Sequence, residues 1–468
     1  QNEADASAPE RQERPRMETV DVAVIGMGPG GEHVAGSLAE RGLTVLGIER
    51  ELVGGVCPFW GCVPTKMMVR AADALAEARR ADRLGGHVPQ VTPDWGPVAA
   101  RLRDDATDTW HDRRAVRRFT DKGGRLVRGA GRIVSPTEVV VDDTRYAVRT
   151  GIVVATGSTA AVPPVPGLSD VDYWTNREVV EAAELPRSIV VLGGGAIGCE
   201  LGQVLARFGV DVTIVEGAAR LLSIEEPEAG ARLVEVLRRE GVTVHTDARA
   251  ERVSSDGDGV VVHLADGSTV AGERLLVATG RRSDPAAVGL TAVGVDEDAR
   301  TVPVDERCRV APGVWAVGDI TGKGAFTHVS MYQAGIVIRD ILGEPGPPAS
   351  YAALPRVTFT DPEVGAVGLT EAQARERFDT VRVGSTPVPS STRGWIHKEG
   401  NEGFIKVVED ADRGVLVGAT TMGPAGGEVM GALAVAVHAE VPVERLASMI
   451  YAYPTFHRGI EDALRALR

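Results

Sequence analysis

The chain has 468 residues and a formal net charge of −14, from 51 basic and 65 acidic side chains. This length predicts roughly two to four domains, and this charge argues against nucleic acid or an anionic membrane surface as a partner. No apolar run is long enough to cross a bilayer, and four cysteines are too few for a disulfide-stabilised scaffold.

Residues 1–16 are polar and charged, and they predict a disordered tail that is either native or the remnant of a tag or of processing. No secretory signal is visible, so we expect a cytoplasmic protein.

The folded pattern begins with an apolar strand at residues 20–25 that runs into the glycines Gly26, Gly28 and Gly31. A predicted helix at 32–41 and a second strand at 44–48 follow, and the second strand ends at Glu49. This order is typical of a dinucleotide site, in which the glycines admit a pyrophosphate and the acid accepts from a ribose hydroxyl. The alternative is a glycine-rich turn without a ligand.

Cys57 and Cys62 stand five residues apart, directly before a run of helical composition at residues 67–80. A helix N-terminus favours a thiolate, so we interpret the two as a redox-active pair. Half of a metal site and an inert buried pair are the alternatives. Cys199 and Cys308 stand alone, and no histidine cluster completes a metal site.

The segment that follows predicts a helical stretch at 98–119 and then several short strands. Another strand begins at residue 152 and ends in the small residues Ala155, Thr156 and Gly157, a kind of edge on which a cofactor can lie.

A second strand, glycine loop, helix and strand begin at residue 188, with glycines at Gly193, Gly195 and Gly198 and an acid at Glu216. Repetition of the first pattern implies two different dinucleotides. Glu216 would repel a 2′-phosphate and therefore favours NADH over NADPH, although Arg220 is close in sequence.

A strand at residues 314–317 precedes Asp319, which could bond the polyol chain of a flavin or cap a helix. A helix is predicted at 328–342, a Gly/Pro-rich linker at 343–349, and a separate α+β domain from 351 to 468.

The chain resembles the class I pyridine nucleotide–disulfide oxidoreductases, the family of dihydrolipoamide dehydrogenase, glutathione reductase, mercuric reductase and the soluble transhydrogenase. The motif Gly-Gly-x-Cys-x-x-x-x-Cys-x-Pro-Thr-Lys at residues 54–66 carries the resemblance, together with the start of a dimerisation domain at 359–371. The family implies an α/β fold with two Rossmann-like dinucleotide-binding domains and a C-terminal α+β dimerisation domain. Expected boundaries are 17–160 with 284–345 for FAD, 161–283 for NAD(P), and 351–468 for dimerisation.

The resemblance also implies the cofactor contacts. For FAD, one per subunit, they are Gly26, Gly28, Pro29, Gly30, Gly31, Glu49, Arg50, Gly55, Val56, Lys66, Ala130, Ala155, Thr156, Gly157, Asp319, Thr327 and His328. For NADH or NADPH they are Gly193, Gly195, Ala196, Ile197, Gly198, Glu216 and Gly280.

The family further implies catalytic roles and a homodimer whose active site is shared across the interface. Cys62 would lie beside the flavin, and Cys57 would exchange with a small-molecule acceptor. Lys66 would lie by the flavin ring, paired with Glu200, as a buried lysine requires. No metal is expected.

The chain departs from the family near its C-terminus, where Tyr453 stands at the position of the usual catalytic histidine and Arg458 at that of its glutamate. A phenol is a poor base at neutral pH. His457 either replaces the base, paired with Glu461 four residues on, or is a surface residue. The soluble transhydrogenase has the tyrosine but lacks the second cysteine, and mercuric reductase ends in a cysteine pair that is missing here. The ketopropyl-coenzyme M carboxylating relative also carries an aromatic residue at the histidine position.

The acceptor is therefore left open as a disulfide, a quinone or a metal ion. Trp395 and His397 are candidates for contact with the partner subunit or the acceptor. Two alternative functions are a dihydrolipoamide dehydrogenase component of a 2-oxoacid complex and a flavin-binding redox sensor without turnover.

Overall fold

The computed structural model describes residues 17–257 and 259–468, which form two compact units. The first unit consists of residues 17–57, His111–Thr159 and Arg282–Ala349. The second consists of Pro58–Trp110, Ala160–Arg281 and Ser350–Arg468. Within the described residues, no helix combines the length and the hydropathy needed to span a bilayer.

The first unit is built on a mixed sheet whose central strands are parallel. Its strands are Glu18–Ile25, Val45–Glu49, Arg125–Arg128, Gly131–Ser135, Glu138–Val141, Thr144–Val154, Arg309–Ala311 and Val314–Ala316. Its helices are Pro29–Glu40, Arg113–Thr120 and Thr327–Leu342, with 3₁₀ turns at Leu290–Val293 and Asp319–Thr321. The one-turn helix Val56–Phe59 and the two-residue strands Thr159–Ala160 and Arg281–Arg282 lie where the chain leaves or enters this unit.

Both faces of the central strands are buried, which explains their nearly continuous apolar sequences. Along Glu18–Ile25, Val22 and Val24 pack with the helices on one face, whereas Ala23 and Ile25 pack into the core on the other.

The second unit contains a parallel four-stranded sheet, a small antiparallel sheet and the C-terminal antiparallel sheet. The parallel strands are Ser188–Leu192, Asp211–Val215, Thr243–His245 and Arg274–Val277, and the small sheet has Ala250–Asp256, Gly259–Leu264 and Thr269–Gly272. The C-terminal strands are Pro355–Thr358, Glu363–Gly368, Val381–Pro387, Phe404–Asp410 and Val415–Gly423.

The helices of the second unit include the 23-residue helix that begins at Cys62. They are Cys62–Leu84, Gly96–Arg101, Asn176–Glu181, Ala196–Arg207, Pro227–Arg239, Glu371–Arg377, Thr392–His397, Gly426–His438, Val443–Ala447 and Gly459–Arg465. A π turn covers Leu102–Ala106, and 3₁₀ turns cover Leu168–Asp170 and Val388–Ser390. The α/β class with two parallel-sheet regions and a C-terminal α+β region is confirmed. The exact domain boundaries remain predictions.

The helical stretch expected at 98–119 is wrong as one element, because the chain breaks after Leu102–Ala106. Asp108, Thr109 and Trp110 have φ angles of 49°, 57° and 53°, in the left-handed region that a right-handed helix cannot continue through. The Thr107 hydroxyl supports the break, since it donates to the carbonyl of Arg103 and accepts from the Trp110 N–H.

Arg207 holds the long helix Cys62–Leu84 in place through a buried ion-pair cluster. Its guanidinium is 3% exposed and lies 2.7 Å from carboxylate oxygens of Asp73, Glu240 and Asp361. Asp73 belongs to the long helix, so this arginine joins that helix to two segments more than 100 residues away in sequence. Removal of one partner from a buried ion cluster leaves uncompensated charge.

Arg207→Met should lower the free energy of unfolding by about 3–5 kcal/mol, because Asp73 and Glu240 would lose their buried ion-pair partner and Asp361 would keep only Arg80. Denaturant unfolding of the purified protein measures this change. Arg232→Met is the matched control. Arg232 is half exposed and 3.8 Å from Glu235, so its loss should cost about 0–1 kcal/mol. Equal losses for the two variants would contradict the role assigned to Arg207.

Asp73 should give the cluster a pH dependence. Burial raises the pKa of the Asp73 carboxyl from 3.8 to about 6, while the charge of Arg207 opposes the rise and that of Asp361 adds to it. A raised pKa means that the folded state holds the Asp73 proton more tightly than the unfolded state does. Protonation of Asp73 therefore stabilises the folded state at low pH, and this contribution is lost as pH rises from about 4 to about 6.

Asp73→Asn removes this titration. Its free energy of unfolding should gain about 1 kcal/mol on the wild type between about pH 4 and pH 6.5, a modest figure because the carboxylate is partly exposed to screening solvent. Denaturant unfolding at several pH values measures it. Parallel stability curves for the two proteins would contradict the assignment.

Candidate active site

The first glycine loop leaves open space above a helix N-terminus. A Cβ on Gly26, where φ is 93°, would lie 2.4 Å from the Ala155 carbonyl oxygen, and one on Gly31 would lie 2.0 Å from that of Gly26. At Gly28, no other described atom lies within 4 Å of such a Cβ. The outer glycines are therefore required by packing, whereas Gly28 keeps a space open at the start of Pro29–Glu40.

The second glycine loop repeats this geometry. A Cβ on Gly193 would lie 2.4 Å from the Ala278 carbonyl oxygen, and one on Gly198 would lie 2.0 Å from that of Gly193. At Gly195, again, no other described atom lies within 4 Å. The same backbone conformation therefore occurs at both positions of the sequence repeat.

In both glycine units, the acid at the end of the second strand accepts two backbone hydrogen bonds. Glu49 accepts from the Met27 N–H and from the Glu51 N–H, both at 2.7 Å. Glu216 accepts from the Gly194 N–H at 2.5 Å and from the Ala218 N–H at 2.6 Å. Each carboxylate is thereby fixed beside its glycine loop.

These two loops fit a dinucleotide. In both helices the N-cap is a glycine, and no side chain of the described residues caps the helix start. Backbone N–H groups at such a start, together with the helix dipole, suit the pyrophosphate oxygens. A carboxylate oxygen has lone pairs beyond those used by the loop, so it can also accept from ribose hydroxyls.

The other residues predicted for FAD in the first unit gather at the carboxyl edge of its sheet. Neighbouring parallel strands end there at Ile25, Glu49, Arg128, Val154 and Ala316. The predicted residues that follow these strand ends or lie beside them are Gly26, Gly28, Pro29, Gly30, Gly31, Arg50, Gly55, Ala130, Ala155, Thr156, Gly157 and Asp319. Ligands in open α/β sheets bind outside this edge.

Several of these residues have a specific local reason for their position. Gly55 has a φ of 67°, and a Cβ there would lie 2.8 Å from the Cα of Gly28. Asp319 begins the turn Asp319–Thr321 and accepts from the Ser158 hydroxyl. The N-cap of that turn is Gly318, so Asp319 does not serve as the helix cap considered above.

Five further predicted residues lie at helix starts, and one closes the second glycine unit. Val56 starts Val56–Phe59, whereas Thr327 and His328 start Thr327–Leu342. Ala196 and Ile197 open Ala196–Arg207 after Gly195. Gly280 has a φ of 125°, and its carbonyl accepts from the Ala161 N–H at 2.9 Å.

The two cysteines lie at helix starts, as the sequence predicts. Cys57 is half-buried in the one-turn helix Val56–Phe59, and Cys62 is exposed as the first residue of Cys62–Leu84. The N-cap of the long helix is Gly61, and no side chain of the described residues caps it. The dipole of a long helix favours a negative charge at its first residue, so it stabilises a Cys62 thiolate.

Glu200 connects three segments within the second unit. Lys66 forms an ion pair with its Oε2 atom, and the Phe359 N–H donates to its Oε1 atom at 2.8 Å. The Lys66 ammonium also lies 4.7 Å from the centroid of the Phe359 ring. Glu200 is 6% exposed, and a buried carboxylate of this kind requires such partners.

The C-terminal segment places Tyr453 at the surface with a cation over its ring. Tyr453 is 66% exposed, and its hydroxyl lies 3.3 Å from the hydroxyl of Thr392. The Arg458 guanidinium lies 5.7 Å from the ring centroid and 3.2 Å from Glu461. The phenol of Tyr453 therefore has a positive charge beside it, where the family's glutamate would supply a carboxylate.

The expected i, i+4 pair of His457 and Glu461 is not formed. The helix begins at Gly459, so His457 lies in the turn before it and not on its face. Glu461 pairs instead with Arg458 and Arg465. The His457 ring lies 6.0 Å from that of Tyr451, centroid to centroid.

Trp395 and His397 share the short helix Thr392–His397, in which Trp395 is 74% exposed. Burial lowers the pKa of His397, and the charges of Arg393 and Arg80 add to that lowering. The His397 ring lies edge-on to Phe456 at 5.5 Å between centroids.

Sequence reasoning missed two groups of residues near the cysteine helix. One is the ion-pair cluster around Arg207, and the other is Trp60 with its contacts on Asn176–Glu181. A capping-box pattern at Thr175 and Glu178 could have located that helix. No local sequence pattern predicts the contact between that helix and Trp60.

Among the described residues, Glu226, Glu228 and Glu371 place carboxylate oxygens within 4.8 Å of one another. Lys406 lies 2.8–2.9 Å from an oxygen of each. The Lys406 ammonium thus occupies the place that a metal cation would take among these carboxylates.

Comparison with known proteins agrees with this geometry. Residues 20–334 match the pyridine nucleotide-disulphide oxidoreductase family, and residues 354–464 match the dimerisation domain of the same family. Dihydrolipoyl dehydrogenase from Chlorobaculum tepidum is 34% identical over 455 residues, which cover 95% of this chain and 96% of that one. Mercuric reductase from Streptomyces lividans is 33% identical, with 95% of each chain covered.

The fold is also found in a solved relative. The Cu(II) complex of the HOCl-induced flavoprotein disulfide reductase RclA from Escherichia coli has a TM-score of 0.84 at 26% identity, covering 96% of this chain and 99% of that one. The dimerisation domain indicates that the chain dimerises. The chain belongs to the pyridine nucleotide-disulphide oxidoreductases, a family of FAD-dependent enzymes with NAD(P)H as electron donor.

Proposed function

We propose that the protein is an NADH-dependent reductase that passes electrons through Cys57 and Cys62 to an acceptor that requires no protein base. A thiophilic metal ion or a quinone is such an acceptor. The observation that carries the proposal is Tyr453, which stands where the family's disulfide reductases have their catalytic histidine. The enzyme would work in the cytoplasm as a homodimer whose active site is shared across the interface.

The chemistry of Tyr453 separates these acceptors from disulfides. Thiol–disulfide exchange needs a group that accepts and returns protons near neutral pH, and a phenol with a pKa of about 10 does this poorly. The Arg458 guanidinium near its ring offers no acceptor to assist it. Thiolates bind soft metal ions without this help.

The remaining roles follow from the residues already described. FAD, when bound, supplies the link between a hydride donor and a thiol pair. Cys62 is assigned to the flavin side, and its place at a helix start favours the thiolate. Cys57 is assigned to exchange with the acceptor. Lys66, held by Glu200, is assigned to the flavin ring, where it supplies a fixed positive charge.

The relatives support two acceptor classes. Mercuric reductases are among them, and the related structure from Escherichia coli holds Cu(II), which favours a metal ion. Dihydrolipoyl dehydrogenase is also among them and favours the second candidate, a lipoamide-linked enzyme. Tyr453 argues for the first.

NADH is the proposed donor because Glu216 would repel a 2′-phosphate. Arg220 is held away from an ion pair with Glu216 among the described contacts, since its Nη2 atom donates to the backbone carbonyls of Ser223, at 2.8 Å, and Glu225, at 3.3 Å. The kcat/KM for NADH should exceed that for NADPH by about tenfold or more, equivalent to about 1.4 kcal/mol of repulsion.

Glu216→Gln should reduce this preference to about threefold or less, because the charge is lost while an amide oxygen can still accept from the loop. Steady-state kinetics with both nucleotides measure the ratio. Glu49→Gln makes the same change at the first loop and should leave the ratio unchanged. An unaltered ratio in Glu216→Gln, or equal shifts in both variants, would contradict the assignment.

The acceptor is tested by assaying one preparation with mercuric and cupric ions, a quinone, glutathione disulfide and dihydrolipoamide. Metal ions or the quinone should be reduced with NADH. Cys57→Ser should lower that rate by about 100-fold or more, whereas Cys308→Ala, at a buried cysteine outside the motif, should not.

Dihydrolipoamide oxidation with NAD⁺ should stay near background in the wild type. Tyr453→His should raise that rate, because it restores a group with a pKa near 6.5. Fast wild-type turnover of dihydrolipoamide would instead establish the lipoamide-linked function.

A further inference from the structure

Trp60 lies between the two cysteines and is held by a single short helix. Its indole Nε1 donates to Glu181 at 2.6 Å, and the Arg177 guanidinium lies 4.2 Å from the ring centroid. Its own backbone carbonyl accepts from the Asn176 side chain at 2.7 Å. We call these three contacts the Trp60 anchor.

The helix that supplies the anchor is itself fixed. Thr175 and Glu178 form a capping box at its start. Val179 and Val180 on the same helix are 0% and 1% exposed. The anchor therefore joins residues 57–62, the cysteine loop, to a rigid element.

Both the side chain and the main chain of Trp60 are constrained. Trp60 is 8% exposed, so its hydrogen bond and cation–π contact are shielded from water and are stronger than on the surface. Its carbonyl directly precedes Gly61, the N-cap of the helix that begins with Cys62. Fixing this peptide limits how far the backbone between the two cysteines can rearrange.

We propose that Trp60 is a positioning residue that fixes the backbone directly before Cys62 and thereby sets the reduction potential of the Cys57–Cys62 couple. A fixed backbone changes the effective concentration of one thiol at the other, so the equilibrium between dithiol and disulfide depends on the anchor. This inference rests on the proposed function, because it requires that the two cysteines form a redox couple.

Thiol–disulfide exchange with dithiothreitol measures the effect of the anchor on the protein couple. The dithiol of Cys57 and Cys62 reacts with oxidised dithiothreitol, whose S–S bond breaks as the protein S–S bond forms. Both protons pass to the dithiothreitol sulfurs. The position of this equilibrium gives the reduction potential of the protein couple.

The test uses flavin-loaded protein in dithiothreitol buffers of graded composition, with thiols trapped by alkylation and counted by mass spectrometry. Trp60→Phe keeps an aromatic ring but loses the bond to Glu181. It should change the equilibrium constant for disulfide formation by about tenfold, equivalent to a shift of about 30 mV in the potential. Glu181→Leu should act in the same direction, and Glu181→Gln, which retains an acceptor oxygen, should restore most of the wild-type value.

Trp95→Phe is the matched control. Trp95 is also 8% exposed, and its indole donates at 2.8 Å to the carbonyl of Ala182, next to Glu181. It lies outside the cysteine loop, so its loss should leave the potential unchanged.

The outcomes separate the two proposals. If the wild type forms no Cys57–Cys62 couple in any buffer, the proposed function fails. If the wild type forms it but Trp60→Phe has the same equilibrium constant, or Trp95→Phe shifts it equally, the positioning role of Trp60 is overturned.

Discussion

A buried carboxylate on Glu200 constrains much of the second unit. Its two oxygens bond the ammonium of Lys66 and the peptide N–H of Phe359, so a single charge joins three chain segments. A carboxylate with so little exposure is stable only while such partners are in place. The helix that begins with Cys62 is therefore positioned by an electrostatic requirement as well as by apolar packing.

The helix that carries Glu200 contacts the helix Cys62–Leu84 a second time, at its own C-terminus. Ala196–Arg207 presents Glu200 near its start and Arg207 at its last residue, and both reach the helix Cys62–Leu84. Ala196–Arg207 also begins at the second glycine loop. The segment fitted to hold a nucleotide thus holds the cysteine helix at three places, four, eleven and seventeen residues after Cys62.

The parts of the structure that the sequence predicted are those with a local cause. Each glycine loop is surrounded by a strand, a helix and a final acid, and the positions of Gly26 and Gly193 are fixed by close backbone contact within that unit. The break after Leu102–Ala106 could not be foreseen, because no glycine or proline marks the left-handed residues. His457 was misplaced because the last helix begins two residues later than its pattern suggested.

Contacts between distant segments were also beyond prediction. Arg207 and Asp361, or Trp60 and Glu181, are separated by more than 100 residues, and nothing in either local pattern specifies its partner. An exception was Lys66 with Glu200, which the family resemblance implied. Tyr453 was visible in the sequence, and its surroundings add the cation that lies by its ring.

The central claim is that Cys57 and Cys62 form a two-electron redox couple in addition to the flavin. Anaerobic titration of the flavin-loaded protein with dithionite, followed by absorbance, tests it most directly. The account predicts that the wild type takes up about two electrons more per flavin than Cys57→Ser, because the protein disulfide is a two-electron couple. Equal uptake by the two proteins would contradict it.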